Sequence, residues 1–208
     1  MKKVLEIGGF ISGAILVAFG VAVIALGANG HSTVNSGLKQ EQISGSPDMT
    51  PALIKSEAAN AGLTNVSLPS CSVAGKAINS GSRARCFAQY MRIHALESSG
   101  GLPYSLIPRY STADGKGTND ATKALMANGK PVDNPARNTW VTETALSTAL
   151  NVSYMASQLS LFSIVVGLAL LLTGIGFIVL DYVALHVRRE KKAADAAAAI
   201  DARKAALA

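Results

Sequence analysis

Two stretches of 22 residues, 7–28 and 159–180, contain no charged side chain. At about 1.5 Å per residue, each is long enough as a helix to cross the ~30 Å hydrocarbon core of a bilayer. A helix of this kind either spans a membrane or sits in the core of a large soluble protein. Charged residues make up only 15% of the 208-residue chain, against roughly 25% in an ordinary soluble domain. Two membrane spans are therefore expected.

Lys2 and Lys3 precede the first run, and Arg188, Arg189, Lys191 and Lys192 follow the second. The positive-inside rule then predicts both termini in the cytoplasm of a plasma-membrane protein. A basic start followed by an apolar run also fits a secretory signal. The run exceeds the roughly 7–15 residues of a signal core, however, so a retained anchor is expected. The predicted division is a cytoplasmic N-terminus (1–6), a first span (7–28), an extracytoplasmic domain (29–158), a second span (159–180) and an Ala-rich helical tail (181–208) in the cytoplasm. The net charge of +6 is split between inner-face anchors and a mildly basic domain, with no single stripe suited to nucleic acid.

Gly9, Gly13, Gly20 and Gly27 recur at intervals of 4, 7 and 7, and Ser163, Gly167 and Gly174 at 4 and 7. Such spacing lines small residues along one helix face, where backbones approach closely in lipid. The two spans are expected to pack on each other as a hairpin. Glu6 and Asp181 sit just beyond the apolar runs, where interfacial solvation beside Lys2, Lys3 and Arg188 is expected; the alternative is a proton relay, the role an acid within the membrane would suggest.

Between the spans, Thr50-Pro51 pairs an N-cap residue with proline at the first helical position, and Gly62 marks the stop. Residues 82–101 read as a second helix ended by Gly100-Gly101. A short helix is expected over 119–129, stopped by Gly129 and Pro131. The two cysteines, Cys71 and Cys86, fall in the exported part, where an oxidising compartment favours a disulfide over free thiols or a metal site. Asn134-Pro135 repeats the helix-start signal. From there Val141, Ala145, Thr148, Val152, Met155, Leu159 and Phe162 alternate by 4 and 3, a heptad seam. Residues 135–158 are thus predicted to form a stalk continuous with the second span. Its seam should be covered by the polar extension of the first span or by another protomer.

Catalytic motifs are missing. His31, His94 and His186 fall near the outer interface, in the exported domain and at the inner face, so in this topology they do not converge on one metal. Arg83, Arg85, Arg92, Arg109 and Arg137 are candidates for acidic headgroups or a partner's carboxylates. Trp140, with Tyr90, Tyr104 and Tyr110, is a candidate anchor of the domain core. The fold class is mainly α: a two-span hairpin with long helices extending outside the membrane and a small disulfide-stapled ectodomain.

The run "HALESSGGLPYSLIPRY", followed by "NPARNTWVTETALSTALNVSYMASQLSLFSIVVGLALLLTGIGF", resembles a group of actinobacterial two-span membrane proteins of unknown function. The resemblance covers roughly residues 90–180 and, loosely, the first span with "VNSGLKQEQI". It implies an actinobacterial plasma membrane and the same hairpin topology. Such proteins often carry the label aromatic ring-opening dioxygenase, which implies iron(II) held by a cluster such as two histidines and a carboxylate. The residues themselves point to a non-enzymatic accessory or scaffold subunit of a larger membrane assembly, without cofactor or small-molecule substrate; a respiratory or envelope complex is a candidate host that no residue selects. Its expected partners are membrane lipids and other integral membrane subunits. The alternative is a homo-oligomeric sensor, ligand-binding or pore-like protein.

Overall fold

In the computed structural model, residues 2–205 are described, with side chains from 8 to 200. The chain is mainly helical and divides into two compact units, one of residues 1–29 and 160–208, the other of residues 30–159.

The first unit is built from α1 (Lys2–Gln40) and the C-terminal part of α4 (Pro135–Ala205). Both helices are long and apolar enough to cross a membrane, and only 11% of each apolar window is buried within the chain. That low figure argues against the core helices of a soluble protein, whose apolar residues are mostly inside. Phe19, Leu26, Leu172 and Leu180 all face outward. The two helices run antiparallel with glycine in register. A β-carbon at Gly13 would lie 2.8 Å from the Gly174 carbonyl oxygen, one at Gly20 2.7 Å from that of Gly167, and one at Gly27 2.7 Å from that of Ser160. The residue facing Gly27 is therefore Ser160, whereas Ser163 is half-buried three residues further on. Gly9 abuts the Asp181 carboxylate. The side chain of Glu6 lies outside the described residues.

The second unit wraps short elements around the two helix ends. α2 (Pro51–Asn60) begins where the sequence signals it: Thr50 is extended and its Oγ1 accepts a hydrogen bond from Leu53 N at 3.3 Å. Thr50→Ala should cost this unit about 1 kcal/mol. The check is urea unfolding followed by the emission of Trp140, the chain's single and buried tryptophan. α3 (Gly81–Ser98) is the central element and contributes Ala84, Phe87, Tyr90 and Ile93 to the core. These pack with Leu38 of α1, Ile54 and Ala58 of α2, Val73 and Ile78 of the linking segment, and Leu150 of α4. A smaller cluster joins Ala95, Leu96, Ile107 and Trp140.

The expected helix over 119–129 is absent. Asp120 caps a single 3-10 turn, Ala121–Lys123, and the chain then forms a two-stranded hairpin of β1 (Met126–Ala127) and β2 (Lys130–Pro131). Its two-residue turn is Asn128-Gly129, with φ of 51° and 73°. Positive φ at both central residues is the type I′ geometry that matches strand twist, and Asn-Gly is its preferred sequence.

α4 runs unbroken from Pro135 to Ala205, through stalk, apolar run and most of the Ala-rich tail. Asn134 Oδ1 accepts from Ala136 N at its start. The proposed seam faces the other way. Val141, Val152, Met155 and Leu159 are 56%, 58%, 70% and 63% exposed, and Ala145 and Thr148 are exposed too. The covered stripe is Glu143, Leu150, Ser157 and Ser160, continued by Gly167 and Gly174. The stripes occupy opposite faces of one helix, and the polar extension of α1 does not cover the 141–159 seam.

Candidate functional site

The polar side chains of the second unit gather around α3. Arginines make no ion pair here among the described residues; they stack instead. The Arg85 guanidinium lies 4.7 Å from the Tyr154 ring centroid, that of Arg92 4.6 Å from Trp140, and that of Arg137 4.1 Å from Tyr104. Arg109 sits 5.9 Å from Tyr110. Cation–π contacts of this kind hold α3 and the 102–107 segment against α4. Arg83 donates to the Ala77 carbonyl and to Asn79 Oδ1. Arg137 donates to the Ile107 carbonyl, and Trp140 Nε1 to that of Leu102.

Between α3, the 62–68 segment and α4 lies an open cleft of about 720 Å³. Gln89, Arg92, Glu143 and Asn151 line it. Glu143 is 3% exposed, and its carboxylate accepts from Ser147 Oγ at 2.7 Å and Thr144 Oγ1 at 3.4 Å. A buried carboxylate served only by hydroxyls in these contacts is costly unless well hydrogen-bonded, and it is the most unusual polar group on α4's covered face.

Three ionisable residues converge on the other flank of α3. His94 comes from α3, Glu57 from α2 and Asp48 from the turn before α2. His94 Nε2 lies 2.9 Å from Asp48 Oδ2 and 3.7 Å from Glu57 Oε2. Burial alone would raise the Asp48 carboxyl, but hydrogen bonds from Ser46 and its own backbone, and then the neighbouring His94, leave it below the usual carboxylate range. Tyr90 is fully buried and donates to the Cys71 carbonyl at 2.6 Å. Its hydroxyl is raised by burial first and by the Asp48 charge second, which keeps the donor proton in place.

Cys71 and Cys86 form a disulfide that ties the linking segment to α3. His31 is exposed on α1, and His186 lies 3.4 Å from Glu190 on α4. Neither joins His94. Sequence reasoning passed over Asp48 and Glu57, which precede His94 by 46 and 37 positions in no recognisable motif. Only the packing of α2 on α3 brings them to it.

Comparison with known proteins finds no family model matching the chain, and no similar curated protein or solved structure.

Proposed function

We propose that this chain is a non-enzymatic integral membrane accessory or scaffold subunit, with two spans, both termini cytoplasmic and residues 29–158 outside the plasma membrane. It docks on another integral membrane protein through the outer face of α4. One observation carries this reading. None of the exposed residues from 138 to 159 is charged, and Val141, Ala145, Thr148, Val152, Met155 and Leu159 form an apolar stripe among them. Helix faces left in water ordinarily carry charges at roughly a quarter to a third of positions. An exposed face of valine, methionine and leucine in water instead marks a protein contact, because covering it removes apolar surface from water. The stripe also continues along α4 into the apolar run, as a partner crossing the same membrane would require.

Cysteines introduced at Val152 and Met155 test this in native membranes. Oxidation should give cross-links to a different membrane protein. Cross-links exclusively between identical chains, or none, would defeat the accessory-subunit reading.

A second reading rests on the cleft beside Arg92. Its volume of about 720 Å³ and its Gln89, Arg92 and Asn151 lining suit a small polar ligand. They support the alternative of a homo-oligomeric ligand-binding or sensing membrane protein, which self-cross-linking at Val152 would favour.

A further inference from the structure

His94, Asp48 and Glu57 are supplied by three separate segments, yet one ligand atom from each lies within 4.8 Å of the others. Zinc binds imidazole nitrogen and carboxylate oxygen at about 2.0–2.2 Å, which sets tetrahedral ligands about 3.4 Å apart. The distances from His94 Nε2, 2.9 Å to Asp48 and 3.7 Å to Glu57, bracket that spacing.

The alignment points the same way. His94 Nε2 is screened from solvent and makes no well-aligned hydrogen bond, although an Asp48 oxygen lies only 2.9 Å away. A ring N–H paired with Asp48 would aim along the line joining them. A nitrogen lone pair and carboxylates that share an ion aim at a common third point. The charges agree. Two acids face one imidazole, and among the described residues no lysine or arginine lies within ion-pairing distance of either acid.

We propose that Asp48, Glu57 and His94 bind a divalent transition-metal cation, of which zinc, a ligand partner of both imidazole and carboxylate, is the probe. The His94, Asp48 and Glu57 side chains are 27%, 31% and 31% exposed, so the ion enters from solvent and keeps a water in its fourth position. It fastens the 46–49 turn, α2 and α3 together at a place distinct from the disulfide.

The test uses the full-length protein in detergent, stripped with chelator and titrated with Zn²⁺ by calorimetry. One ion per chain should bind. Loss of a supporting partner of a metal ligand already weakens binding 10–100-fold, so His94→Gln and Glu57→Gln should each weaken it by at least about 100-fold. His31→Gln and His186→Gln should leave this site unchanged. Co²⁺ should give visible absorption bands in the wild type that His94→Gln loses. The Trp140 urea transition without metal establishes that each variant is folded; if one is not, Asp48→Asn replaces it. Uptake equal in wild type and folded ligand variants overturns the proposal. So does no uptake by the wild type, which leaves the trio an ion-pair clamp only.

Discussion

Replacing Gly20 with leucine should force the two long helices apart, while leucine at Gly176 should leave them in place. A β-carbon at Gly20 would sit 2.7 Å from the Gly167 carbonyl oxygen, 2.7 Å from Leu171 N and 2.9 Å from Leu171 Cβ. Two of those three atoms are helix backbone, which cannot rotate away as a side chain can. Adding single methylenes to a packed site costs about 1–3 kcal/mol, and a leucine here adds a whole side chain against main chain. At Gly176 a β-carbon meets nothing within 4 Å, so the same chemical change lacks the clash. Helix axes lie about 8–10 Å apart depending on the contacting residues, and abolishing the close approach should widen them by on the order of 2 Å. Spin labels at exposed Ala18 and Leu172 report that separation. An unchanged label distance in Gly20→Leu would mean that the glycines do not set the contact.

Removing the disulfide should produce the largest loss in the second unit. Cys71 and Cys86 are separated by 15 positions, and closing a loop of that size restricts the unfolded chain by about 3 kcal/mol. The segment it anchors is also held by Val73 and Ile78 in the core and by Tyr90 and Arg83, which donate to the Cys71 and Ala77 carbonyls. Its backbone–backbone links include Leu63 to Ala58, Val73 to Met49, Gly75 to Gly45 and Ile78 to Ile43, with Lys76 accepting from Gly45, so the loss is of the bond's constraint and not of all anchorage. Cys86 itself sits in the core beside Tyr90, so the Cys71→Ala/Cys86→Ala double variant also forfeits some packing. Its Trp140 urea transition should fall by about 2–5 kcal/mol, and the reduced wild type should fall almost as far. A double variant as stable as the oxidised protein would show that the bond braces nothing.

Much of the fold can be read from the residues. Thr50-Pro51 and Asn134-Pro135 start helices because each pairs a side-chain acceptor with a residue that has no N–H to lose, and both operate as read. The covered face of α4 is a different matter. In water, the most apolar stripe points inward. Where helices pack beside lipid, the surroundings are as apolar as leucine and small residues mark the contact. Ser160, Gly167 and Gly174 lie in the apolar run, where that rule holds. Before the run the covered face is set by the second unit, with Trp140 and Leu150 in its core clusters and Gly81 of α3 against Ser157, partners that the α4 sequence does not reveal. The hairpin at 126–131 was legible in Asn128-Gly129, but helix-forming alanine, lysine and leucine nearby outweighed the signal. The trio of Asp48, Glu57 and His94 was not legible, since its spacing carries no period of helix or strand.

The glycine pairing has one more property. In Gly13 with Gly174, Gly20 with Gly167 and Gly27 with Ser160, each step of seven residues up one helix is matched by seven down the other. Sliding either helix by a few residues sets leucine or isoleucine side chains against a partner's main chain. In one direction small residues meet again after four residues, a travel of about 6 Å that brings Gly9 to Gly174 and Gly20 to Ser163. The pair thus behaves like a detent whose notches lie about a helical turn or more apart, permitting discrete settings and no gradual drift between them.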